Sequence, residues 1–126
     1  MATTLEQQRA AHAWQVCQGC SSEYQNLAKG LPALIMNSGL MQVMAFLQEK
    51  GSKASQHHCK LLGEHLRAWL CRRFPKDLPQ AEFAAFMQAL MKAEPRTFQH
   101  ITAEAFAWLR WTRQMAPAVR ATGGED

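Results

Sequence analysis

The 126-residue chain is poor in β-branched aliphatic residues, with two isoleucines (Ile35, Ile101) and three valines (Val16, Val43, Val119). Strands draw heavily on such residues, so their scarcity argues against a sheet. No apolar run is long enough to span a bilayer. The N-terminal stretch MATTLEQQRAAHAW lacks the apolar core of a secretory signal. A cytoplasmic protein is therefore expected, in which Cys17, Cys20, Cys59 and Cys71 are free thiols and not a disulfide framework. There is no glycine-rich phosphate loop and no cluster of carboxylates. Catalytic residues, a bound metal and a cofactor are accordingly not expected.

What is present is helical periodicity. Residues Thr4 to Gln18 form the first amphipathic stretch, with Ala10, Ala13, Trp14 and Cys17 on one stripe. A second helix starts near Ser21 or Ser22 and turns Tyr24, Leu27, Ala28, Leu31 and Ile35 inward. Pro32 lacks an amide proton, which predicts a kink or break near Gly30–Pro32. Asn37-Ser38-Gly39 is a stop and restart. The third helix covers about Leu40 to Lys50, with Leu40, Val43, Met44 and Leu47 at helical spacing. The fourth covers about Ser55 to Arg73, with Leu62, Leu66, Trp69 and Leu70 inward. The fifth, Gln80 to Ala93, buries Phe83, Phe86, Met87 and Leu90. The sixth begins at Pro95 and runs to about Met115, with Phe98, Ile101, Ala105, Trp108 and Thr112 on its core face. The expected fold is all-α, a compact single-domain bundle of about six helices over residues 1–117. Residues 118–126 are expected to be a flexible tail.

Charge is distributed unevenly. Residues 1–49 carry Arg9 and Lys29 against Glu6, Glu23 and Glu49. Residues 50–76 carry Lys50, Lys53, Lys60, Arg67, Arg72, Arg73 and Lys76 against Glu64 alone. Such asymmetry suits a polyanion, usually nucleic acid, and equally suits a solvated helix face. Lys53, Lys60 and Arg67 lie seven residues apart, nearly two turns, and so form one stripe opposite the Leu62/Leu66/Trp69 face. Arg72 and Arg73 close the same helix, where cations also complement the helix dipole. On the last helix, Phe106, Arg110 and Arg113 share a side, with Trp111 at its boundary. An aromatic beside two arginines suits base stacking with phosphate contact, or a protein-contact hot spot centred on Phe106 and Trp111. In a third reading, Phe106 packs under a loop.

Cys17-Gln-Gly-Cys20 is a C-x-x-C motif, and His57, His58 and Cys59 are nominal partners for zinc. The second C-x-x-C or H-x-x-x-H of a zinc site is missing, and buried structural thiols are the simpler reading. His57 and His58 are adjacent and point about 100° apart on a helix, so they do not converge as an acid–base pair for a nuclease.

Two segments carry a resemblance. One runs Glu23-Tyr24, Leu27-Ala28-Lys29, Leu31-Pro32, Leu34-Ile35, Ser38-Gly39-Leu40, Ala45-Phe46-Leu47 and Lys50. The other is Ile101-Thr102, Glu104-Ala105 and Trp108-Leu109-Arg110-Trp111. Together they resemble the Cmr small-subunit family of type III-B CRISPR effector complexes. The resemblance implies an all-helical, non-catalytic subunit, several copies of which stack along the guide–target RNA duplex. It implies guide RNA, target RNA, the backbone and large subunits and further copies of itself as partners, with no membrane. Lys50 matches the family pattern directly, and the other cations rest on charge. The family's last helix often carries consecutive basic residues after its tryptophan motif, where this chain has Trp111-Thr112-Arg113-Gln114. A helical adaptor that binds only proteins is the competing expectation.

Overall fold

The computed structural model describes residues 2–123, and among them it contains six α-helices, one 3-10 turn and no strand. The helices are α1 (Leu5–Val16), α2 (Ser22–Ser38), α3 (Leu40–Gly51), α4 (His57–Arg73), α5 (Phe83–Lys92) and α6 (Pro95–Thr122). The 3-10 turn, Ala54–Gln56, leads into α4. Each start has a local cause. Thr4 Oγ1 accepts from the Gln7 amide at 3.0 Å while the Gln7 side chain accepts from the Thr4 amide at 2.7 Å, a reciprocal cap. Ser21 caps α2 through the Tyr24 amide at 3.1 Å. The Glu82 carboxylate accepts from the Ala84 and Ala85 amides at the head of α5, and Pro95 occupies the first turn of α6.

The long helix α6 lies against α1 and α2, α3 packs on α4, and α2 also touches α4. The core between them holds Trp69, Trp108, Tyr24, Phe86, Leu62, Leu66 and Leu70, all sealed from solvent. Each fully buried leucine contributes about 1.5–3 kcal/mol of apolar transfer free energy. The inward faces expected for α3, α4 and most of α6 are the buried ones. On α5, Phe86 and Leu90 are buried while Phe83 and Met87 are half-buried.

Four features depart from the periodic pattern. Helix α2 is continuous through Pro32, because Leu31 and Ile35 are buried on either side of it and packing outweighs the lost hydrogen bond. The break falls at Gly39, as the Asn37-Ser38-Gly39 stop and restart predicts, and its φ of +86° is one that glycine alone adopts without strain. Helix α6 likewise passes Pro117 and runs to Thr122, seven residues beyond the expected Met115, since Ala116 and Val119 are buried. Residues 118–122 are therefore helical, and 124–126 lie outside the described residues. Helix α5 begins at Phe83, not Gln80, because Glu82 is its cap. Trp14 is 42% exposed, so α1 is rotated from its expected stripe, with Ala13 and Cys17 buried and Arg9 and His12 turned toward α6 and α4.

Gly51 ends α3 against the backbone of α4. A β-carbon there would sit 2.7 Å from both the Lys60 amide nitrogen and its α-carbon. Gly63, by contrast, has space for a methyl group at ordinary contact distance from Leu47 and Arg67. Gly51→Ala should lower stability by about 2 kcal/mol or more, the cost of forcing a packed backbone apart. Gly63→Ala should be neutral or stabilising by up to about 1 kcal/mol through helix propensity. Urea unfolding midpoints of the two variants check this, and equal midpoints would contradict it.

Candidate nucleic-acid interface

The seven-residue spacing of cations in the chain does not become one exposed row in space. Lys53 precedes the 3-10 turn, is exposed, and pairs loosely with Glu49 at 3.7 Å. Lys60 stands exposed on α4. Arg67 does not point to solvent: it is 8% exposed, its Nε donates to the Ala81 carbonyl at 2.8 Å, and its guanidinium lies 5.6 Å from the Phe83 ring centroid. Of the expected Lys53–Lys60–Arg67 stripe, Lys60 alone is exposed without an ion pair among the described residues. The seven-residue spacing located Lys53 on a helix that had not yet begun, and it could not foresee the loop before α5 folding over Arg67.

The two arginines that close α4 also divide. Arg72 is exposed and stacks over Trp69 at 5.4 Å. Arg73 is half-buried, donates to Glu104 at 3.2 Å and covers the Phe74 ring at 5.2 Å. Lys50 is half-buried in the last turn of α3, with its ammonium 5.9 Å from the Phe46 ring centroid.

On α6 the expected grouping is present. Phe106, Arg110 and Arg113 line one open groove of about 540 Å³, closed on its far side by Pro32 and Met36 of α2. Arg110 and Arg113 are exposed, while Phe106 is half-buried against the core and forms the apolar floor. Met36, 78% exposed, was absent from the sequence reading. It follows Ile35 by one residue and so falls on the outer face of α2. Trp111 is half-buried and does not line the groove.

A buried polar centre lies behind these surfaces. Glu104, 4% exposed, accepts from Arg9 through both carboxylate oxygens at 2.7 Å, from the Trp69 indole at 2.9 Å and from Arg73. Burial pushes its carboxyl up. The Arg9 and Trp69 hydrogen bonds and the two guanidinium charges more than offset this and hold it below the ordinary carboxylate range. Beside it, the Trp108 indole donates to His12 Nδ1 at 2.8 Å. Burial first, then the charges of Arg72 and His65, lower His12 to about 4. A second pair, Tyr24 and His65, is joined at 2.8 Å, with His65 also lowered by burial.

The C-x-x-C motif sits at the α1–α2 turn. Cys17 is buried, its thiol donates weakly to the Thr112 carbonyl, and burial pushes it up to about 12. Burial raises Cys20 as well. Such thiols are poor nucleophiles at neutral pH. His57 is exposed and His58 half-buried in the first turn of α4. Among the described residues no three His, Cys, Asp or Glu side chains converge to hold a metal ion.

His12 must stay neutral to accept from Trp108, and its folded value lies below that of an unfolded histidine. The unfolded chain therefore binds more protons between about pH 6.5 and 4, and stability should fall as pH drops through that window. Glu104 adds a loss at lower pH, where its depressed carboxyl is finally protonated. His12→Asn keeps an acceptor near the indole and removes the titration. Thermal melts of wild type should decline from pH 6.5 to 4 while those of the variant stay flatter over the same range. Parallel profiles would count against the His12 assignment.

The fold and these surfaces can be set beside known proteins. A family model described as CRISPR-associated protein (Cas_Cmr5) matches residues 5–119, nearly the whole helical bundle. A protein from Thermus thermophilus described as CRISPR system Cmr subunit Cmr5 is 30% identical over 97 residues, covering 77% of this chain and 75% of its own length. Helices α1 to α5 and all but the last three residues of α6 fall within the matched span, and the Ile101–Trp111 motif supplies both the buried Glu104 and the groove-lining Arg110. The chain therefore belongs to the Cmr small-subunit family of type III-B CRISPR effector complexes.

Proposed function

We propose that this protein is a non-catalytic subunit that stacks in several copies along the guide–target RNA duplex of a cytoplasmic effector complex and helps hold the target RNA. Its partners would be the two RNAs, the backbone and large subunits, and other copies of itself. The observation that carries the RNA contact is the pair Arg110 and Arg113, exposed along one groove over the Phe106 floor. Lys60 and Arg72 are exposed as well and join them as candidate phosphate contacts, with Lys50 and Lys53 weaker candidates beside Phe46 and Glu49. Arg67 and Arg73 are committed largely to internal partners. Exposed cations on a packed bundle follow a phosphate backbone by charge and shape, without reading bases. One copy would bind weakly, and an array would bind strongly because each further contact is intramolecular. No described helix is long and apolar enough to cross a membrane.

A protein contact in the same groove is the second reading. Met36 and Phe106 supply an apolar strip between the arginines and α2, the composition of a small hot spot, and Trp111 neighbours it in sequence. The two readings separate on charge reversal. Arg110→Glu with Arg113→Glu should weaken target RNA retention by the assembled complex at least about tenfold at 0.15 M salt. It should also reduce the salt slope by about one to two units, with subunit composition unchanged. Filter-binding titrations across salt concentrations measure both quantities. Intact retention with loss of the subunit from the complex would favour the protein contact and overturn the RNA contact at this groove.

A further inference from the structure

The C-x-x-C motif is left unused by the proposed RNA contact. Cys17 ends α1 in helical backbone, Gly19 takes a φ of +71°, and the Cys20 amide donates to the Cys17 carbonyl at 3.1 Å. A hydrogen-bonded turn of this kind holds its end α-carbons within about 7 Å. A disulfide spans about 4.4–6.8 Å between α-carbons. The two side chains already meet, since each thiol shifts the other. Joining them asks for side-chain rotation within one turn, not for movement of a helix.

The two thiols are not equivalent. Cys17 is fully buried, and its thiol is occupied by the Thr112 carbonyl. Cys20 is half-buried and lines two open grooves, one of about 380 Å³ beside Trp14 and Arg120 and one of about 500 Å³ beside His12, Tyr24 and His65. Burial raises both thiols. Contact with Cys20 raises Cys17 further, to about 12, while the Arg120 charge and the contact with Cys17 draw Cys20 part of the way back. A reagent arriving from solvent thus meets Cys20 first. Arg120 donates to the Cys20 carbonyl at 3.1 Å and is the only charged side chain lining the first groove among the described residues. That groove therefore favours a reagent that carries carboxylates. Cys59 and Cys71 lie on α4 without a second cysteine in the same turn.

We propose that the α1–α2 turn is a thiol-modification site for an anionic low-molecular-weight disulfide such as glutathione disulfide, with Cys20 as the entry sulfur and Cys17 as the resolving one. The Cys20 thiolate attacks the S–S bond of the reagent, forms a mixed disulfide and releases one thiol. The Cys17 thiolate, freed from Thr112, then attacks the Cys20 sulfur and releases the second thiol. The protons lost by the two cysteines end on the two released thiols. The cysteine pair is oxidised by two electrons to the Cys17–Cys20 disulfide, and the reagent is reduced to two thiols. An excess of dithiol reverses both steps. Neither step involves RNA, so the site stands or falls apart from the proposed RNA contact.

The test exposes the native full chain to millimolar glutathione disulfide at mildly alkaline pH, where the raised thiols ionise faster. Remaining thiols are blocked with an alkylating reagent, and tryptic peptides are mapped over time. Cleavage after Arg9 and Lys29 places Cys17 and Cys20 together in one peptide, apart from Cys59 and Cys71. A transient single glutathione adduct on Cys20 should come first. It should give way to a peptide two hydrogens lighter that takes up no alkylating reagent until a dithiol is added. Cys17→Ala should hold the adduct at Cys20, and Cys20→Ala should leave Cys17 at least about tenfold less modified. The wild-type peptide map stands alone if either variant misfolds. A Cys20 adduct that never closes, first attack at Cys17, or both cysteines still open to alkylation when the urea-unfolded chain is fully oxidised would each overturn the site.

Discussion

Glu104 is the constraint from which the rest of the arrangement follows. A carboxylate at 4% exposure is tolerable only when its charge is met, and two elements supply three partners: Arg9 from α1, Trp69 and Arg73 from α4. Those bonds set how α1 and α4 lie against α6. Because Arg9 and His12 must face inward to reach Glu104 and Trp108, α1 presents a polar face to the core and leaves Trp14 outside. Because Arg73 turns toward Glu104, Arg72 on the next position is left at the surface over Trp69. The ionic centre thereby sorts the cations of this region into those that hold the bundle together and those available to a partner.

That sorting leaves a net charge of +4 without a continuous basic stripe, so the proposed RNA contact falls to separate exposed cations. Arg9, Arg67 and Arg73 are held by internal partners. Arg110 and Arg113 extend from a helix whose opposite side is pinned by Ile101, Trp108 and Thr112 in the core. Exposed cations on a helix held from behind by the core present their charge from a backbone that needs no further ordering, which suits the proposed contact with a phosphate polymer.

Much of the fold was legible because helical spacing reports burial directly. Leu40, Val43, Met44 and Leu47 on α3, and Leu62, Leu66, Trp69 and Leu70 on α4, lie where their periods place them. Pro32 does not break α2, because a local rule about amide protons cannot weigh the burial of Leu31 and Ile35 on either side. The cation row misled for a related reason. Periodicity along one helix fixes direction around its own axis, whereas the exposure of Arg67 depends on the loop to α5, whose path no spacing records. The Phe106–Arg110–Arg113 cluster was found because its members share one helix, and Met36 was missed because it comes from another. Glu104 was readable in principle: it falls between Ile101 and Trp108 on the core face of α6, and a carboxylate there demands cationic partners elsewhere in the chain.

The division of cations into internal and available groups is most directly tested by comparing Arg73→Gln with Arg113→Gln in one experiment that records both melting temperature and target RNA retention. Arg73→Gln is expected to lower the melting temperature by about 5 °C, corresponding to about 1 kcal/mol, with little change in retention by the folded protein. Arg113→Gln is expected to leave the melting temperature unchanged and to weaken retention. A reversed pattern, or two variants that behave alike in both measurements, would contradict the division.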